Sequence, residues 1–176
     1  MDADGEPMLN GGTYYILPQN GSGLTFVPPN TTSPCSLYIT QESDPTSDGL
    51  PIKISSPINS KYLPFGSTIF TFPSDMITTP CIQQLEWRPT HDDATGLFYV
   101  VAGTTTQEAA PSAFNIIVPF NYGQPGSYQL NYCNDLACGA LGIFQENRLL
   151  GITNDTRFTV RFKKAFFGTS GANSVV

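Results

Sequence analysis

Short stretches in which apolar and polar residues alternate recur along the chain, and each is closed by turn-forming residues. Thr13-Tyr-Tyr-Ile-Leu17 runs into Pro18-Gln-Asn-Gly21, and Leu24-Thr-Phe-Val27 runs into Pro28-Pro-Asn30. Ser36-Leu-Tyr-Ile-Thr40 precedes a turn-rich stretch at 42–49, and Pro51-Ile-Lys-Ile-Ser55 alternates with period two. The pattern returns at 67–72, 85–88, 98–101, 114–118, 128–132, 141–144, 149–152 and 158–162. These are about twelve segments spaced roughly 10 to 17 residues apart, and none carries a helical period. Their β-branched and aromatic residues suit a pleated, half-buried surface. So many short strands predict an all-β barrel or sandwich. Each third of the chain holds about four segments, a weak threefold pattern. Residues 168–176 lack a core-forming period and are expected to fray, leaving residues 1–167 as a single domain.

Composition narrows the function. The 176 residues suffice for one domain with a hydrophobic core. Only 12% are charged, about half the usual share, and Ser, Thr, Asn, Gly and Pro fill the polar positions. The net charge of −6 with 8 basic residues argues against nucleic acid, which needs clustered cations to displace counterions. The one basic strip, Arg157-Phe-Thr-Val-Arg161-Phe-Lys163-Lys164, alternates like the polar face of a late strand. No stretch reaches the ~20 apolar residues of a membrane span. Met1 is followed at once by Asp2-Ala-Asp4, so it is read as a start residue on a mature sequence. Four cysteines, Cys35, Cys81, Cys133 and Cys138, form an even set without a Cys-x-x-Cys pair. With a single histidine, disulfides are favoured over a zinc site, and no metal is expected. Sequons at Asn20, Asn30 and Asn154 fit an oxidising secretory route and a glycoprotein.

The residues argue against an enzyme. There is no Gly-x-Ser-x-Gly elbow. His91 lies in Thr90-His-Asp-Asp-Ala-Thr-Gly96, which reads as a turn. Asp93-Ala-Thr-Gly96 has the wrong spacing for an aspartic-protease signature. In Asp2-Ala-Asp4-Gly5 the glycine comes too early for a calcium loop, and the terminal bidentate glutamate is missing. Cysteines committed to disulfides offer no thiol nucleophile.

A resemblance runs through nearly the whole chain. Asp2-x-x-Gly5-x-x-Met8, five residues, then Tyr14-x-Ile16 resembles the opening signature of the plant, soybean-type Kunitz protease inhibitors. Asn10-Gly-Gly-Thr-Tyr-Tyr-Ile-Leu17 is similar to the same stretch of legume seed members. The likeness continues through Pro34-Cys35, Gly49-Leu-Pro-Ile52, Ile54-Ser-Ser-Pro57, Gly66-Ser67, Cys81 and Glu86-Trp87. It extends to Tyr128-x-Leu130-x-Tyr132-Cys133, Cys138, Leu141-Gly-Ile143 and Val160-x-Phe162-x-Lys164. The resemblance implies a β-trefoil of twelve short strands, a six-stranded barrel capped by three hairpins. It also implies the pairings Cys35–Cys81 and Cys133–Cys138, which the loop-entropy account values at about 4 and 2 kcal/mol. Trp87 is read as packing. A monomer without cofactor, placed outside the cell or in a seed storage vacuole, is expected.

The resemblance further implies an exposed, substrate-like loop between Ser-Ser-Pro and Gly-Ser, here Pro57-Ile58-Asn59-Ser60-Lys61-Tyr62 and its continuation to Phe65. A loop already in its bound geometry loses little entropy on docking. Pro57 and Pro64 limit its freedom, and Asn10 corresponds to the family's internal spacer. By length, the scissile position falls between Asn59 and Ser60, so Asn59 would enter the protease's primary pocket. Family members usually carry Arg, Lys or a large apolar residue there. Weak or atypical inhibition of a trypsin- or chymotrypsin-like serine protease is therefore expected. The alternatives are a seed storage or defence protein that has lost inhibition, an inhibitor of a cysteine or asparagine-specific protease, or a carbohydrate binder.

Overall fold

Alternation along most of the barrel strands decides which side chains are buried. A computed structural model describes residues 1–27, 37–75, 85–103, 112–119, 126–135, 137–155 and 158–166. Strand β1 (Gly12–Pro18) turns Tyr14, Ile16 and Pro18 inward. Its partner at the far end of the chain, β12 (Val160–Lys164), buries Val160 and Phe162 and exposes Arg161 and Lys163. The basic strip is thus a solvated strand face where it is described.

Six strands form the barrel. β1 pairs with β12 and with β4 (Ile52–Ser55), which pairs with β5 (Ile69–Thr71). β8 (Phe114–Ile117) pairs with β9 (Gln129–Cys133). Two isolated bridges, Thr68↔Phe114 and Tyr128↔Val160, close the ring. Closure removes the free edges that an open sheet would leave.

Three hairpins cap one end: β2 (Leu24–Val27) with β3 (Leu37–Gln41), β6 (Trp87–Asp92) with β7 (Leu97–Ala102), and β10 (Cys138–Ile143) with β11 (Leu150–Ile152). They also pair with one another, β3 with β7, β7 with β11, and Thr40 with Leu149. This is the β-trefoil, with twelve strands among the described residues.

The barrel interior is aromatic and aliphatic. Phe70, Phe72, Trp87, Phe114 and Phe162 are fully buried together with Ile16, Ile52, Ile54 and Leu130. The Trp87 ring lies 5.1 Å from Phe70 and 5.8 Å from Phe72, centroid to centroid, so it is a packing residue. Its buried Nε1 has no hydrogen-bond partner among the described residues.

Two local readings differ from the sequence expectation. His91 sits within β6, paired with Phe98, and the turn covers 93–96. The edge contact of its ring with Phe98, at 5.0 Å, extends the hairpin ladder past the polar residues that suggested a turn. β10 starts at Cys138, three residues before the apolar run, because Cys138 lies directly opposite Cys133 and is disulfide-bonded to it. Cys35 and Cys81 lie outside the described residues.

Gly49 shows where the backbone cannot take a side chain. Its φ is 77°, and a Cβ there would stand 2.2 Å from the Leu24 carbonyl oxygen. Gly96 has a similar φ of 71° with nothing within 4 Å. Gly49→Ala is expected to lose about 2–4 kcal/mol, strain plus clash, whereas Gly96→Ala should lose about 1 kcal/mol from strain alone. Urea unfolding checks this, and equal losses would mean the close approach to Leu24 has no energetic weight.

Candidate functional site

The loop leaving β4 and returning to β5 begins and ends on paired strands, since Ser55 is opposite Ile69. Between them, Pro57, Ile58, Asn59, Ser60, Lys61 and Tyr62 are all exposed, and half of the Ile58 surface meets solvent. The N-terminal strap passes beneath the loop. Leu63 N donates to Met8 O at 2.9 Å, Leu9 bridges Tyr62, and Asn10 N donates to Lys61 O at 3.0 Å. The strap is itself anchored by Leu9 N, which donates to the buried Tyr14 hydroxyl at 2.8 Å. That hydroxyl has its pKa pushed up by burial, partly offset by the Leu9 bond, so it stays protonated.

Asn10 ties the two limbs together. Its backbone holds the descending limb at Lys61, while its side chain holds the ascending limb. Asn10 Nδ2 donates to Ile58 O at 3.0 Å and to Ser56 O at 3.3 Å, and Asn10 Oδ1 accepts from Ser56 N at 2.8 Å. An amide is suited to this, since one side chain offers both donors and an acceptor. Gly11, at φ 78°, turns the chain from the strap into β1 and so sets the Asn10 position.

Between these anchors, Asn59 and Ser60 make no hydrogen bond with another described residue. Their peptide groups stand free on a loop whose flanks are fixed. Lys61 Nζ lies 5.2 Å from the centroid of the Tyr62 ring, within cation–π reach. At the far end, Thr68 Oγ1 donates to Gly66 O at 3.1 Å, and Gly66 has φ 85°.

Sequence reasoning brought Asn10 and the loop together but missed the strap backbone at Met8 and Leu9 and the Ser56 hydroxyl. Ser56 Oγ accepts from Ile58 N at 3.3 Å, a local turn that a Ser-Pro pair could have signalled. Of the sequon residues, Asn20 and Asn154 are exposed, and Asn30 lies outside the described residues. Among the described residues, no group of three or more His, Cys, Asp or Glu side chains gathers as a metal site.

Comparisons with known proteins agree with this architecture. The chain is 31% identical to an endogenous alpha-amylase/subtilisin inhibitor of Triticum aestivum, covering 93% of this chain and 95% of that one. It is 32% identical to the trypsin inhibitor BvTI of Bauhinia variegata, covering 94% and 95%. Soybean trypsin inhibitor, in a crystal of its complex with porcine pancreatic trypsin, superposes with a TM-score of 0.76 at 26% identity, covering 94% and 98%. A family model described as trypsin and protease inhibitor matches residues 1–164. This chain therefore belongs to the legume Kunitz family of protease inhibitors, and not to a family of enzymes.

Proposed function

We propose that this protein inhibits a serine protease by offering Pro57–Tyr62 as a substrate-like loop, with Asn59 in the primary pocket and Ser60 beyond the scissile bond. The observation that carries the reading is the Asn10 amide, bonded to Ser56 and Ile58 while its own backbone bonds to Lys61. A loop so braced gives up little freedom on docking, and its ends stay together if the bond between Asn59 and Ser60 is cut.

Asn59 makes the specificity atypical. Trypsin's pocket ends in a buried carboxylate that expects a cation. A neutral amide leaves that charge unpaired, so trypsin is bound weakly. Lys61 does not replace the missing cation, because moving it into the pocket would break the Asn10–Lys61 and Met8–Leu63 hydrogen bonds. Asn59 favours, as a second target, a protease selective for asparagine. The Cys133–Cys138 disulfide and the sequons support a secreted or vacuolar protein.

The test is titration against trypsin, chymotrypsin, elastase, a papain-like protease and an asparagine-specific protease, followed by intact-mass analysis. Tight inhibition with any slow nick between Asn59 and Ser60 is expected for one enzyme. Inhibition with the loop uncut would move the interaction to another surface, and no inhibition by the folded protein would favour a storage role. Asn10→Ala is expected to keep the fold, lose about 1–3 kcal/mol of stability, and weaken inhibition about tenfold or more. A variant that inhibits as well as the parent would show that the Asn10 bonds do not set the loop.

A further inference from the structure

The end of the trefoil where the three hairpins meet holds a second feature, separate from the loop. A cleft of about 340 Å³ opens there, lined by Tyr38 of β3, Asp92 of β6, Tyr99 of β7, Thr95 of the β6–β7 turn, and Asn147 and Leu149 before β11. That volume is within the range of small-ligand pockets, about 300–1,000 Å³. The lining combines aromatic area with a small set of polar groups. Tyr38 and Tyr99 meet edge to face at 5.8 Å, and Tyr99 is backed by Phe144 at 5.3 Å, so Tyr99 is buried and Tyr38 only half-buried.

The polar groups are positioned by their neighbours and keep bonding capacity. Asp92 Oδ2 accepts from Thr95 N at 3.0 Å and from Thr95 Oγ1 at 2.6 Å, while Oδ1 has no partner among the described residues. Asn147 Oδ1 accepts from Leu149 N at 3.0 Å, and its Nδ2 donates to the Tyr99 hydroxyl at 3.2 Å. One Asn147 N–H and the Tyr99 O–H therefore stay available as donors. The Tyr38 hydroxyl also lacks a partner among the described residues. Burial first, then the Asp92 carboxylate and Tyr99, push its pKa up, so it remains a proton donor.

We propose that this cleft binds a neutral sugar residue, with Tyr38 as the apolar face against the ring and Asp92, Asn147 and Tyr99 as partners for its hydroxyls. A sugar matches the inventory because each hydroxyl both donates and accepts, and the cleft offers three donors around one charged acceptor. A quaternary ammonium would find the carboxylate but, having no hydrogen-bond acceptor, would pair with none of those donors. The proposal is independent of the inhibitory loop, since the cleft draws only on the cap hairpins.

The test is saturation-transfer NMR of the whole protein with the methyl glycosides of glucose, galactose, mannose and N-acetylglucosamine, with tetramethylammonium as the competing chemistry. Saturable, millimolar binding of at least one glycoside is expected, weakened about tenfold or more by Asp92→Asn and by Tyr38→Ala. Asparagine can still accept from Thr95, so Asp92→Asn is expected to keep the parent melting curve, and Tyr38→Phe provides a folded control that keeps the ring. No saturable binding of any of the four glycosides would overturn the proposal. Equal binding by the Asp92→Asn and Tyr38→Ala variants and the parent would overturn it, as would binding of tetramethylammonium alone.

Discussion

Asn59→Arg is expected to raise affinity for trypsin at least tenfold. In the parent, Asn59 would leave that charge buried without a cation, and truncating one partner of such a pair costs about 2–5 kcal/mol. Supplying the guanidinium recovers a comparable amount, about 30-fold to several thousandfold in the dissociation constant. The gain requires the loop to dock as proposed, with the bonds from Asn10 to Ser56, Ile58 and Lys61 kept. A tight-binding titration reads the change directly. If Asn59→Arg gains nothing while Asn59→Arg protein remains folded, position 59 does not enter the pocket and the loop assignment fails.

The largest loss of stability is expected from Trp87→Ala. The indole is fully buried against Phe70 and Phe72 at the junction of barrel and cap. Truncating a buried Trp leaves a cavity and costs about 3–5 kcal/mol, a large share of the 5–15 kcal/mol that holds a domain together. Trp87→Phe should behave differently. It keeps an aromatic ring against Phe70 and Phe72 and so leaves a smaller cavity, while both variants remove the buried Nε1 that has no partner among the described residues. Urea unfolding of both variants is expected to show a wide gap between them. Equal losses would mean that the phenylalanine ring recovers no packing against Phe70 and Phe72, and an unchanged midpoint for Trp87→Ala would remove the residue from the core.

The strands were legible because their signal is local. Ile52-Lys-Ile-Ser alternates in sequence and is buried, exposed, buried and half-buried in β4. The register of β10 was not, because Cys138 joins its strand through a covalent partner on the neighbouring strand. The same limit applied to His91, whose strand position depends on Phe98 across the hairpin. The contact of Asn10 with the loop at 57–62 was legible only through resemblance, since nothing in Asn10 alone points to Ser56, 46 residues away. The cleft between the cap hairpins was hidden altogether. Tyr38, Asn147 and the Asp92–Tyr99 hairpin are far apart in the chain and meet only when three hairpins pack around one axis.

The pairing of β1 with β12 bears on how the molecule is made. Tyr14 is opposite Lys164 and Pro18 opposite Val160, so the first barrel strand waits for the last. At a synthesis rate of about 5–20 residues per second, β1 spends several seconds with one edge unclaimed while the intervening strands are translated. Contacts this distant in sequence also slow the search for the native topology. During that interval the nascent chain presents Tyr14, Ile16 and Pro18 on an open strand, the stage at which association with a chaperone or with another nascent copy competes with folding. The ring that leaves the finished protein without a free barrel edge is thus the last thing its biosynthesis completes.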